Sequence, residues 1–396
     1  MTKASRAVEL AARESYVRLL AYVAARTNDI TLAEDALADA FAKALVVWGE
    51  QGVPKNPEAW LLTVARNRMT DVFRKRARWE SDSEVPDIAS FQNPDTELPD
   101  DRLALLMVCA HPAIASDLHT PLMLQTVFGL DAATIARLFL MSPAALAKRL
   151  VRAKTKIRDA RIPFELPDAT VLPQRSQAVA EAIYALHAYD WLDPSDSFGR
   201  EALYLADLLS RLRPDNPEVS GLAALIAFSH ARTQARLNEG VLVPTPKQDP
   251  TLWNGELIVY GRSKLKDALV QNQIGRFQLE AAIEDVHLDR RETCRTDWYA
   301  LDHLYSGLTN MAPSAGALVA HTVVKAEIHG PQTGLALLTE LEKMLGTAFQ
   351  PYWAVRAEML ARLGRKEDAQ ASFAKAISLT TSPPMIAYLR QQFAAL

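Results

Sequence analysis

The stretch Asn56-Pro57-Glu58-Ala59-Trp60-Leu61-Leu62-Thr63-Val64-Ala65-Arg66-Asn67-Arg68-Met69-Thr70-Asp71-Val72-Phe73-Arg74-Lys75-Arg76 decides the fold. Leu62, Ala65, Met69, Val72 and Phe73 recur at helical spacing, and Thr63, Asn67, Thr70, Arg74 and Arg78 fall on the opposite face. Asn56 is placed to cap the helix, Pro57 suits its first turn, and Glu58 complements the N-terminal dipole. A stripe mixing Asn, Thr and Arg is chemically able to meet nucleic acid, because Arg neutralises phosphate and Asn makes two-pronged base contacts. Trp60, in the first turn, suits stacking on an unpaired base. A core Trp is the other reading, and the face itself also reads as merely solvated.

Outward from this helix, the same period covers residues from about 5 to 79, with breaks at Thr27-Asn28-Asp29 and Gly49 to Pro57. Glycine is scarce (15 residues) and Ala and Leu abound, which predicts an all-α fold. At 396 residues the chain exceeds one hydrophobic core, and about 150 residues per domain predicts two or three. The net charge of −3 hides strong segregation. Between Glu80 and Asp101 there are eight acidic residues and no Lys or Arg, with Pro86, Pro94 and Pro99 among them, so this stretch reads as an extended linker.

A second basic helix follows. Asp131-Ala-Ala-Thr-Ile-Ala-Arg137-Leu reads as a short helix, Phe139-Leu-Met141 as a turn, and Ser142-Pro143 as the capped start of the next helix. In that helix Leu146, Leu150, Ala153 and Ile157 form the apolar stripe, and Ala145, Lys148, Arg149, Arg152 and Lys156 the exposed one. Two helices joined by a short turn match a helix-turn-helix unit. Ala144 and Ala145 permit close approach to base edges, while Arg149 and Arg152 reach guanine or phosphate. Seven basic residues against one acidic between Ser142 and Arg161 favour DNA over an undirected solvated face.

These two units, joined by an acidic linker, resemble extracytoplasmic-function sigma factors. Leu32-Ala-Glu34-Asp35-Ala-Leu-Ala-Asp39-Ala-Phe41 resembles their core-polymerase-binding helix, the Gly52–Arg68 stretch their −10-reading segment, and the pair around Ser142 their −35-reading unit. Cys109-Ala-His111-Pro112, the basic run Arg149 to Arg158, Ile162-Pro163-Phe164 and the C-terminal part are similar to a subgroup with a tetratricopeptide-like extension. Ala110 stands where the subgroup usually carries a second Cys, and Thr134 where it carries Glu.

The resemblance implies that Asp35, Asp39 and Phe41 dock on core RNA polymerase. It implies −10 contacts from Trp60, Thr63, Arg66, Asn67, Thr70 and Arg74. It implies −35 contacts from Ser142, Ala144, Ala145, Lys148, Arg149, Arg152 and Lys156. Asp35 and Asp39 read equally as a solvated face, and the acidic linker as a plain tether or as a mimic of RNA charge near the polymerase channel.

The expected domains are therefore 1–79 (polymerase and −10), 80–101 (linker), 102–167 (helix-turn-helix) and 175–396 (helical extension), the last two separated by Pro163, Pro167 and Pro173. Near the end, Trp353, Gly364, Ala369, Phe373 and Ala376 stand at tetratricopeptide spacings, with Leu360 for the usual Tyr and Thr381 for the usual Pro. Stacked helix pairs form a surface for a regulatory protein or peptide, and the extension's length suggests an internal regulator. No strand alternation stands out. Gly240-Val-Leu-Val243-Pro244 reads as an ordered loop, with a hairpin edge as the alternative.

Enzyme signatures are not found: the eight histidines form no HExxH and pair with no Cys at zinc spacing, and there is no P-loop, GxGxxG or GxSxG. No catalytic residue, metal or cofactor is expected, and His111 reads as structural. Two cysteines, Cys109 and Cys294, suit a reducing cytoplasm. Met1 to Leu10 lacks an apolar h-region, and no run nears the ~18 apolar residues of a membrane span, so export and membrane insertion are not expected. Two other function classes fit the same pattern: a repeat scaffold that does not bind DNA, and a one-component regulator that binds duplex DNA without polymerase.

Overall fold

The computed structural model describes residues 3–79, 100–192, 197–346 and 348–396. Most of the acidic linker, residues 80–99, lies outside the described residues. The chain divides into two compact units, Met1–Leu186 and His187–Leu396. Among the described residues nineteen α-helices, four short 3-10 turns and one two-stranded hairpin account for the regular structure, so the fold is all-α.

The first unit begins with α1 (Lys3–Thr27), α2 (Ile30–Gln51) and α3 (Pro57–Trp79). Local chemistry sets their ends. Asp29 is extended and accepts from the Leu32 amide at 3.0 Å, and Asn56 accepts from the Ala59 amide at 3.1 Å. Packing of α2 against both α1 and α3 buries Ala33, Leu37, Ala40, Leu61, Ala65 and Met69 completely. Arg18 of α1 and Ser15 both bond the Glu58 carboxylate at the start of α3, which ties the first helix to the third.

Four shorter helices follow: α4 (Arg102–Cys109), α5 (His119–Thr126), α6 (Ala132–Leu138) and α7 (Pro143–Asp159). Asp131 caps α6 by accepting from the Ala133 and Thr134 amides, both at 2.9 Å. Leu146, Leu150, Ala153 and Ile157 of α7 are buried, as their spacing predicts. The seat of α7 is on α5 and α6, and it also touches α2. The next helix, α8 (Leu172–Leu192), starts with Pro173 in its first turn, so that proline opens a helix instead of ending a linker. Ser176 of α8 is fully buried, and the boundary between the units falls within this helix.

The second unit continues with α9 (Ser197–Leu212), α10 (Pro217–Ala231), α11 (Gly255–Leu269), α12 (Arg276–Leu288), α13 (Arg290–Thr293), α14 (Trp298–Met311) and α15 (Ala315–His329). It closes with α16 (Pro331–Leu345), α17 (Gln350–Arg362), α18 (Lys366–Ser378) and α19 (Pro383–Ala394). The apolar α10 is buried on nearly every side by α9, α11 and α12. Gly221 lets α12 approach: a Cβ there would stand 2.8 Å from the Gln278 backbone nitrogen. Glu218 of α10 accepts from the Phe277 and Gln278 amides at 3.0 and 3.2 Å, capping α12 from outside its own chain segment.

The loop expected at 240–244 is in part a hairpin: β1 (Leu237–Asn238) pairs antiparallel with β2 (Val241–Leu242). Glu239 and Gly240 both take positive φ, the combination a two-residue turn needs, and this local geometry outweighs the weak alternation. The last helix, α19, packs against β2. At the repeat-like end, Gly364 takes φ 74° between α17 and α18. Ala369, Phe373 and Ala376 are buried there, with Leu360 buried and Trp353 packed alongside.

Candidate nucleic-acid interface

On α3, Asn67 and Arg74 are exposed, and Thr63, Arg66 and Thr70 are half-buried. Thr63, Asn67, Thr70 and Arg74 share one face at helical spacing. The hydroxyls of Thr63 and Thr70 donate within the helix, to Ala59 O at 2.8 Å and Arg66 O at 2.9 Å, leaving their oxygens as acceptors. Trp60 is half-buried and edge-on to the buried Trp48, a partner the spacing does not reveal. The side chain of Arg78 lies outside the described residues. Burial raises the Glu58 carboxyl pKa, but the bonds from Arg18 and Ser15 outweigh it and hold the group below the usual carboxylate range.

The three residues read as a polymerase contact are placed differently from one another. Asp35 is exposed. Asp39 is half-buried and pairs with Arg68 of α3 at 2.6 Å. Phe41 is half-buried against Tyr16 of α1, with ring centroids 5.9 Å apart. Burial, with the nearby charges of Glu34 and Asp35, pushes the Tyr16 hydroxyl up to about 12. The pair Asp39–Arg68 therefore joins the helix expected to meet polymerase to the helix expected to meet DNA.

On α7, Ser142, Ala144, Ala145, Lys148, Arg152 and Lys156 are exposed. Ser142 occupies the cap position, but its side chain makes no capping bond, contrary to the cap its sequence suggests. Pro143, at the first helical position, has no amide and so leaves one fewer unpaired donor at this end of α7. Arg149 is half-buried and bonds Asp117 at 2.5 Å. The turn before α7 presents Leu140, 95% exposed and at φ 53°.

The basic run holds one residue that does not face solvent. Lys154 is only 8% exposed and its ammonium donates to Glu34 of α2 at 2.6 Å. Beside that contact Asp29, Asp35, Arg68, Val72 and Arg158 line one cleft. Counting charge along α7 groups Lys154 with the DNA-facing residues, and nothing local to either segment pairs it with Glu34.

His111 accepts from the Ala113 amide at 3.1 Å, and burial, with the Arg175 charge, lowers its pKa. That is a turn-stabilising role. Among the described residues no group of three or more His, Cys, Asp or Glu is arranged to hold a metal ion, and no helix is long and apolar enough to cross a membrane.

Against known families, residues 12–79 match Sigma-70 region 2, which spans most of α1 and all of α2 and α3. Residues 175–269 match a Family of unknown function (DUF6596), from α8 to the end of α11. The chain is also similar to an uncharacterized protein of Rhizobium meliloti (strain 1021), 34% identical over 381 residues, covering 92% of this chain and 90% of the relative. No solved structure matches it.

Proposed function

The chain belongs to the same family as the Rhizobium meliloti protein and carries a sigma-70 region 2, and from that premise we propose that it is an RNA polymerase sigma factor directing promoter-specific transcription initiation. The single observation that carries the reading is the sigma-70 region 2 match over α1–α3, whose third helix exposes Asn67 and Arg74 on its polar face. Its partners are core RNA polymerase and promoter DNA. It acts by binding and strand opening, with no chemistry of its own, and that role places it in the cytoplasm.

In finer detail, the reading is an extracytoplasmic-function sigma factor. Residues 1–79 hold polymerase and the −10 element, 80–101 form an acidic linker, 102–167 read the −35 element, and 175–396 form a tetratricopeptide-like regulatory extension. Asp35, Asp39 and Phe41 serve the polymerase contact. The polar face of α3 from Trp60 to Arg74 serves the −10 strand, and Ser142 to Lys156 of α7 the −35 duplex. The half-buried position of Phe41 against Tyr16 gives that residue a supporting role in shaping α2.

In vitro transcription with core polymerase and mapped start sites tests the reading, together with charge reversal at Asp35 and Asp39. Promoter-specific starts that disappear on reversal support it. Failure to co-purify with core polymerase would return the chain to the scaffold or one-component readings. For the extension, a chain ending at Leu186, the last residue of the first unit, is the appropriate truncation. Transcription identical to the full chain would remove the regulatory role.

A further inference from the structure

The turn that joins α4 to α5 collects three basic side chains from three different elements. His111 is seated in the turn by its backbone: its amide donates to Val108 O at 3.0 Å and its carbonyl accepts from the Ile114 amide at 2.8 Å. His119, the first residue of α5, places Nε2 3.0 Å from Ile114 O. Arg175, in the first turn of α8, reaches back to Met107 O at 3.5 Å. All three are half-buried, so each keeps some surface open to a ligand.

No acid answers this charge. Among the described residues Arg175 pairs with no carboxylate: its Nη1 bond to Met107 is long, and its buried Nε makes none. A buried donor left without a partner is costly, and native proteins keep few of them. With burial, the positive charges of Arg175 and His119 hold the His111 imidazole below its usual range. The one acid between the two histidines, Asp117, is taken by Arg149 of α7. Guanidinium and imidazole N–H groups are the donors that hold a tetrahedral oxyanion. The tautomers suit that role. His111 Nδ1 accepts from the Ala113 amide at 3.1 Å, so its proton sits on Nε2, which is left to donate. His119 spends its Nε2–H on Ile114 O, so its Nδ1 is the nitrogen able to take up a proton beside an anion.

We propose that His111, His119 and Arg175 form a binding site for a small phosphate oxyanion. Bound there, the anion bridges the first turn of α8 to the turn after α4, and so fixes where α8 leaves the helices before it. The site uses none of the exposed cations of α7, and it does not depend on the sigma-factor reading.

Inorganic phosphate is the probe, titrated into the full chain by calorimetry, with chloride matching the ionic strength in the control. Saturable binding is expected. Arg175→Gln and His111→Gln should each weaken it roughly ten-fold, a loss of about 1.4 kcal/mol, whereas Arg152→Ala with Lys156→Ala should leave it in place. Thermal melts without phosphate show whether either substitution unfolds the chain, and histidine NMR of the unaltered protein supplies a second measurement. There phosphate should raise the pKa of His111 and His119, because a neighbouring anion favours the charged imidazole. Absence of saturable binding, binding lost with the α7 cations but kept without Arg175, or imidazoles unmoved by phosphate would each overturn the site. So would a salt slope for promoter binding that Arg175→Gln lowers by about 1, since the cluster would then hold the DNA backbone.

Discussion

Trp60 stands edge-on to Trp48, ring centroids 5.5 Å apart and planes at 66°. Trp48 is 2% exposed, so it anchors the pair from within the core, while the half-buried Trp60 keeps part of its ring at the surface. The arrangement serves both readings of Trp60 at once: one side packs, and the other is available to an unpaired base.

The two tryptophans should therefore separate on mutation. Trp48→Ala is expected to destabilise the first unit by about 3–5 kcal/mol, the usual result of emptying a large core position. Trp60→Ala is expected to lose less stability but weaken capture of single-stranded −10 DNA by holoenzyme by about 1–3 kcal/mol. Chemical denaturation and a fluorescence binding assay measure the two effects. Equal loss of stability with unchanged DNA capture would make Trp60 a core residue only.

On α7, Arg152 and Lys156 are exposed, whereas Arg149 is engaged by Asp117. If each exposed cation neutralises one phosphate, Arg152→Ala and Lys156→Ala should each lower the slope of log K against log[salt] by about 1. For about six phosphate contacts the starting slope lies near −5. A titration of −35 duplex by holoenzyme at several salt concentrations reads it, and slopes unaltered by either substitution would exclude the proposed face.

In the second unit, the Glu218 carboxylate receives two backbone amides and the Gln278 side-chain amide at 3.1 Å. Glu218→Ala leaves the start of α12 uncapped and is expected to cost about 2 kcal/mol, or roughly 4–8 °C in Tm for a unit of this size. Gly221→Ala, which drives a Cβ against the Gln278 backbone, should destabilise the same helix pair. Calorimetry checks both, and a Tm unchanged by either substitution would mean that this helix junction does not limit stability.

Acid should loosen this unit before its carboxylates titrate. Burial, with the positive charges of Arg236 and Arg232, pushes the His187 imidazole down to about 4 despite Glu284, and burial does the same to His287. An unfolded imidazole takes its proton near pH 6.5, the folded one near 4, so between those values the unfolded state binds more protons. Stability is complete above pH 6.5 and falls as the pH drops toward 4. The midpoint of urea melts should fall across that range as the pH drops, and His187→Gln should flatten the dependence. Parallel curves for the two proteins would refute a titrating role for His187.

Much of the fold is legible locally. The break at Thr27–Asp29, the Asn56 cap, the buried stripe Leu146–Ile157 and the positive-φ Gly364 follow from residues within one or two helical turns of each other. The hairpin at 237–242 was less legible, because its two-residue strands are too short for alternation to register. The polar face of α3 and most of that of α7 were also readable, since exposure on a helix follows its period. The failures are residues whose setting depends on a distant partner. Asp39 reads as a polymerase contact or a solvated acid until Arg68 is brought to it, and Lys154 counts only as one cation of the basic run until Glu34 is.

Periodicity, caps and turn residues determined the helices of this chain and which face of each is polar, because those preferences act between neighbours along the backbone. Which helix meets which was decided only by the tertiary structure. The pairs Trp48–Trp60, Asp39–Arg68 and Lys154–Glu34 join different helices, the last across 120 residues. Such contacts form only when burial of apolar surface offsets the entropy of closing the intervening chain, a balance struck by the whole packed unit and written in no single segment.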